Sequence, residues 1–189
     1  MKEYLRLIFV LTITCLVCTA LLATVYHLTL EPIAEARLRQ EQKAISEVLP
    51  PGYASVKPIA VGGITNYVAL DEAGQMVAAA VKGHSEKGYG GAISLIAGFA
   101  ADGRLYNFKV LQASETPGLG SRIDSDEFKT GIRGRPADTR WATTKDGGEI
   151  DAVTAATISS RAALEAISAA SAQFQAIREA VQKGVQATL

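Results

Sequence analysis

Residues 7–26 form a run of 20 positions without a formal charge, and as a helix such a run is about 30 Å long, the hydrocarbon thickness of a bilayer. The run predicts one membrane span. Its threonines, Thr12, Thr14, Thr19 and Thr24, can return their hydroxyl hydrogen bonds to the preceding helical turn, so they do not disqualify it. Lys2 and Arg6 precede it as the basic residues of a signal peptide would. The run is longer than the usual apolar region of such a peptide, however, and the nearest Ala-x-Ala, at Ala34 and Ala36, comes only after the charged Glu31. An uncleaved signal anchor over residues 1–30 is expected.

After the span the pattern changes to mixed positions at helical spacing. Ile33, Ala34, Leu38, Ile45 and Val48 stand among charges and are followed by Pro50-Pro51-Gly52, which predicts an amphipathic stalk helix within residues 31–52. Short strand-like runs then occupy residues 64–70, 77–81, 92–99 and 105–111. Glu72-Ala73-Gly74 and Asp102-Gly103 serve as turn signals between pairs, giving two successive hairpins. From about residue 159 to 182 the apolar positions return to helical spacing, with Leu164, Ile167, Phe174, Ile177, Val181 and Val185 on one face. Helix, strands and helix without βαβ alternation predict an α+β domain over residues 53–189, built on an antiparallel sheet with flanking helices.

Composition narrows the chemistry. A chain of 189 residues suits one ordinary domain plus a small extra segment. With 19 basic and 19 acidic residues it lacks the electrostatic footprint of a nucleic-acid binder. Cys15 and Cys18, its two cysteines, both lie in the apolar run and read as small apolar fillers. The outer domain therefore has neither a disulfide nor a thiolate nucleophile. Neither His27 nor His84 has a second ligand at metal spacing, so zinc, haem and iron–sulfur readings lose support. Lys2 and Arg6 on one side of the span and Arg37, Arg39 and Lys43 on the other leave its orientation open.

Three segments remain as candidates for chemistry. Residues 151–160 read Asp-Ala-Val-Thr-Ala-Ala-Thr-Ile-Ser-Ser and lead into the last helix. A helix start presents unpaired N–H groups and partial positive charge, a natural seat for a phosphate. The plainer alternative is that Asp151, Thr154 or Thr157 caps the helix. Residues 115–120, Glu-Thr-Pro-Gly-Leu-Gly, form a loop after a strand, where Pro117 fixes one φ and the glycines free the backbone. Residues 88–91, Gly-Tyr-Gly-Gly, lead into another strand. Asp124, Asp126 and Glu127 read as a solvated acidic face, and Lys145-Asp146-Gly147-Gly148 as a turn.

Residues 151–157 resemble the Asp-x-x-(Ser/Thr)-Gly-Ala-Thr signature of the FMN-binding subunits of Rnf-type and Nqr-type redox pumps. The 115–120 string is similar to the Glu-Thr-Pro-Gly-Leu-Gly of the same family, with all six residues present, and 88–91 to its Gly-Tyr-Gly-Gly. The three matches fall in the family's order. The resemblance implies a periplasmic flavoprotein domain on an inner-membrane anchor, in which a flavin transferase, with FAD as donor, joins the FMN phosphate to the Thr157 hydroxyl. Asp151, Thr154, Ala155 and Ala156 would complete that motif. Glu115, Thr116, Gly118, Leu119 and Gly120 would border the flavin, with Tyr89, Leu119 or Trp141 against the ring. It further implies an electron relay among the other subunits of an ion-translocating ferredoxin:NAD oxidoreductase. The short outer domain suits the Rnf G-type protein better than its Nqr equivalent. One position departs from the pattern: Ala155 stands where the family usually has Gly, and an alanine there is strained if the site needs positive φ. The alternative of another class is a membrane-tethered binding or sensory module that uses the glycine-rich loops for partner contact and holds no cofactor.

Overall fold

The computed structural model describes residues 1–182; Val185, expected on the last helical face, lies outside them. Helix α1 runs over Lys2–Val48, and five strands follow: β1 (Ser55–Val61), β2 (Ile64–Leu70), β3 (Met76–Ser85), β4 (Ile93–Ala100) and β5 (Leu105–Gln112). A 3₁₀ turn (Gly120–Asp124), the short helix α2 (Asp126–Thr130), a second 3₁₀ turn (Thr144–Asp146) and the long helix α3 (Thr157–Gln182) complete the order. The chain divides into two compact units, Met1–Glu41 and the part from Gln42 onward.

In the first unit the large apolar side chains are exposed. Leu7, Phe9, Leu11, Leu16, Leu21 and Leu22 are each more than half exposed, as suits a helix long and apolar enough to cross a membrane. The hydroxyls of Thr12, Thr14 and Thr24 donate to the carbonyls four residues back, at 2.8–2.9 Å, which removes them as a polar cost in lipid.

The second unit is an α+β domain, as expected. Its sheet has strand order β1-β2-β3-β4-β5, every neighbouring pair antiparallel. Both faces are covered. Leu95, Ala97 and Phe99 of β4 face the α3 side, while Ile96 joins Ala44, Ile45, Val48 and Leu49 on the other face. Two-sided burial is why β4 reads as a nearly continuous apolar run rather than an alternation. Two glycines permit the close approach. A Cβ at Gly83 would overlap the Ala166 carbonyl of α3, and one at Gly98 would overlap the Val48 carbonyl on the opposite face. Phe99 and Phe174 stack at the centre of the α3 side with ring centroids 4.7 Å apart. Leu164, Ile167, Phe174 and Ile177 are buried there as the spacing predicts, whereas Val181 is 41% exposed.

Two differences from the sequence reading have physical causes. The sequence pattern does not predict strand β1, because Pro58 interrupts it. The strand is at the edge of the sheet, where a missing N–H costs no ladder bond. Strand β3 extends to Ser85 rather than ending at residue 81, because Gly83 serves the helix approach and His84 turns outward to Ser94 and Glu86.

Candidate functional site

The first turn of α3 is assembled without a side-chain cap. The Ala156 N–H donates to the Val153 carbonyl at 3.0 Å, and the Ser160 hydroxyl accepts from the Val153 N–H at 2.9 Å while donating to the Ala156 carbonyl at 3.0 Å. This folds residues 153–156 into a tight entry. Ala155 takes φ 63° there, the one non-glycine residue with positive φ among the described residues. Of the three candidates for a cap in the sequence, the structure uses none. Asp151 instead accepts from the Thr144 hydroxyl at 3.3 Å. The hydroxyls of Thr154 and Thr157 and the backbone N–H groups of Thr157, Ile158 and Ser159 meet no partner among the described residues. Free donors at a helix start are what an anion requires.

Two distant segments converge on this turn through one carboxylate. Glu115 Oε2 accepts from the Ser159 hydroxyl at 2.6 Å, and Oε1 accepts from the Gly90 N–H at 3.3 Å. Glu115 thus joins the 88–91 loop, the 115–120 loop and α3. Gly120 has no room for a side chain, since a Cβ there would lie 2.7 Å from the Ser159 hydroxyl. The 115–120 loop closes on itself through the Leu119 N–H to the Thr116 carbonyl at 3.2 Å, with Gly118 turning the chain at φ 77° and donating to the Ser121 hydroxyl at 2.9 Å.

Between these segments lies a cleft of about 550 Å³. Of the residues singled out by sequence, Tyr89, Glu115, Thr116, Leu119, Gly120, Ala155, Ala156 and Thr157 line it together. Gly118 belongs to the same loop but does not line the cleft. Asp151 and Thr154 line a second cleft of about 400 Å³ instead, with Thr144 and Lys145. Ala155 and Thr157 belong to both, so Thr157 stands on the ridge between them. Tyr89 is 70% exposed, Leu119 43% and Ile158 48%, an apolar rim suited to a flat aromatic ligand. Trp141 packs against the core and is not part of the cleft.

Charged pairs brace the site from outside. Asp146 receives Arg161 Nε and Nη2 of α3, both at 2.7 Å, and the Thr143 hydroxyl at 2.6 Å. The Arg161 guanidinium first, then the Thr143 hydroxyl, holds the Asp146 carboxyl below its ordinary range. Glu165 of α3 receives Lys87 at 2.7 Å and the Ser85 hydroxyl at 2.9 Å, which tie the β3–β4 loop to the helix and lower its pKa in that order. The acidic group at 124–127 is less solvated than the sequence suggests. Asp124 bridges Lys109 at 3.0 Å and the buried Lys129 at 2.7 Å, and its hydrogen bond raises the Lys109 pKa. Asp126 and Glu127 do reach solvent, paired with Arg133 and Arg122.

Sequence reasoning missed Ile158 and Ser159 as lining residues and Ser160 as the clamp of the turn. A signal for Ser160 was present. It stands four residues before Leu164 and seven before Ile167, on the stripe that should have been apolar.

Comparison with known proteins bears on the same segments. Residues 88–172 match the family described as the FMN-binding domain, and residues 6–48 match the RnfG N-terminal region. The G subunit of the ion-translocating oxidoreductase complex of Pseudomonas aeruginosa is 35% identical, over 94% of this chain and 92% of its own length. The G subunit of the proton-translocating ferredoxin:NAD(+) oxidoreductase complex of Clostridium ljungdahlii is 33% identical, over 83% and 84%. Among solved structures, NqrC of Shewanella oneidensis shares the fold at a TM-score of 0.50 and 19% identity, over 63% of this chain and 61% of that one.

Proposed function

The chain belongs to the family of G subunits of ion-translocating oxidoreductase complexes, and we propose that it relays electrons through FMN esterified to Thr157. It is a redox subunit with an FMN-binding domain and a membrane-associating helix. The complex is the enzyme, and the chain alone is not expected to turn over. Following the Clostridium relative, the complex is read as a ferredoxin:NAD oxidoreductase. The anchor occupies residues 1–30, the stalk 31–52 and the flavin domain 53–189, with the domain on the periplasmic side of the inner membrane. Its partners are the other subunits, the lipid bilayer and a flavin transferase that uses FAD.

One observation carries the reading. Thr157 is the first residue of α3, its hydroxyl is unpartnered among the described residues, and it opens into the cleft that the 115–120 loop walls. The residues present fit the cofactor on their own chemistry. The N–H groups of Thr157, Ile158 and Ser159 would hold the phosphate, and Tyr89, Leu119 and Ile158 would take the ring. Bound FMN supplies the acceptance and release of electrons, which no side chain here provides. Glu115 keeps the two walls in register through Ser159 and Gly90. The ester link prevents loss of the flavin by diffusion.

Co-expression of the full chain with a periplasmic flavin transferase should give a fluorescent band on a denaturing gel. Thr157→Ala should abolish the fluorescence completely and leave the fold unchanged, because the hydroxyl makes no structural contact. A non-fluorescent wild-type band would reject covalent attachment, leaving the cofactor-free module or a non-covalent FMN site.

A further inference from the structure

The second cleft beside Thr157 contains Lys145, and we propose that Lys145 is the phosphate-contacting residue of the attachment site. It would take the phosphate of the incoming dinucleotide during transfer and keep contact with the phosphodiester afterwards. This rests on attachment at Thr157 and assigns the charge that makes attachment there favourable.

The local construction supports it. Among the described residues Lys145 is the only cation lining that cleft, which it shares with Asp151, Thr154, Ala155 and Thr157. It forms no ion pair or hydrogen bond among them. Its neighbours are fully engaged. Asp146 is held bidentately by Arg161 and by Thr143, Arg140 donates to the Asp146 carbonyl at 3.1 Å, and Gly147 closes the turn at φ 76°. The loop is therefore pinned to α3 while one ammonium is left uncommitted on the side of Thr157. The opposing charge in the cleft is Asp151, directed by Thr144. Without Lys145, a phosphate on Thr157 would face a like charge there, and the helix start alone would have to offset it.

The step balances as follows. The Thr157 Oγ–P bond forms on the FMN phosphorus of FAD, the P–O bond to the adenylate breaks, and AMP leaves. The threonine proton passes to a base of the transferase. Charge builds on the phosphoryl oxygens as the bonds exchange, and a cation carried by a loop braced beside them acts where that charge develops. The product retains one negative charge, so the contact persists.

Initial rates of labelling of the full chain in detergent, with purified transferase and FAD, test this in the wild type, Lys145→Arg, Lys145→Met and Lys145→Glu. Arg should label at close to the wild-type rate, Met about tenfold slower and Glu slower still, with equal melting temperatures. A structural role for an exposed, unpaired lysine would not produce that ordering by charge. On the loaded protein, the ³¹P resonance of the adduct should move in Lys145→Met and stay in place in Lys57→Met, on the edge strand. Equal rates in all four chains would overturn the assignment while Thr157 attachment stands. Slow labelling without a ³¹P shift would place Lys145 in contact with the transferase instead and would also overturn it. An unlabelled wild type would remove the attachment reading itself.

Discussion

Over residues 162–177, α3 is held by apolar packing: Ala162, Ala163, Ala166, Ile167 and Ala170 are fully buried, and Phe174 stacks on Phe99. Its first turn, residues 157–160, is held instead by polar contacts: the Glu115 carboxylate on Ser159 and the Ser160 hydroxyl on the 153–156 turn. The packed stretch is closed against the sheet. The first turn leaves three N–H groups and a hydroxyl uncommitted beside two clefts. One helix thus serves as scaffold along its body and, in the function proposed above, as binding site at its start. The difference follows from what each part excludes: the body excludes water by volume, and the start keeps room for a ligand by holding its walls apart with directional bonds.

The comparison breaks most visibly if the body is weakened. Phe174→Ala removes a fully buried ring from the centre of the α3 side and should cost about 3–5 kcal/mol of stability. Chemical denaturation of the full chain in detergent measures this. At a temperature where the variant is still folded, the fraction labelled at Thr157 should match the wild type. Loss of labelling from a folded Phe174→Ala would mean that the start of α3 is not set by its own polar contacts.

A smaller effect should come from the brace between Asp146 and Arg161. The folded-state pKa of Asp146 lies below the ordinary carboxyl value of 3.8, chiefly through the Arg161 hydrogen bond. A depressed carboxyl adds stability above its unfolded pKa and loses it as pH falls through the folded pKa. The brace should therefore be intact at neutral pH and fade below about pH 4. Asp146→Asn should lower the melting temperature slightly at neutral pH, since the pair is solvent-exposed and screened. The gap from the wild type should close as the pH falls through the folded pKa. A gap that persists unchanged through that range would show that the carboxylate charge is not what fastens the loop.

What could be read in advance divides along the same line. Strands β2 to β5, read as two hairpins, and the apolar face of α3 follow from periodicity, because burial of Leu164, Ile167 and Phe174 depends on spacing alone. The α+β class follows from the order of those elements. Strand β1 escaped because Pro58 is tolerated only by virtue of its edge position, a property of the assembled sheet. The loops at 88–91 and 115–120 were legible as segments through resemblance, but their meeting at Glu115 was not, because a contact across 44 residues has no local signature. The same holds for Lys145. As sequence it is part of a turn, and only the fold places it in a cleft with Thr157.

The smallest expected effect concerns Ala155, where the first turn departs from ordinary backbone. At φ 63° an L-residue crowds its own Cβ, at a cost of about 1–2 kcal/mol. Ala155→Gly would relieve that strain but give the unfolded chain more freedom, which offsets about 0.4–1 kcal/mol. The net should be a stabilisation of up to about 1 kcal/mol, a rise in melting temperature of only a few degrees. Its sign is the informative part. Were Ala155 in a helical or extended conformation, the same change would destabilise, since glycine would add entropy to the unfolded state and relieve nothing. The side chain also lines both clefts, so its removal widens the approach to Thr157 by a methyl group. A faster labelling rate with a higher melting temperature would show that the alanine is tolerated at the ridge rather than required there. A lower melting temperature would contradict the left-handed turn on which the geometry of the α3 start depends.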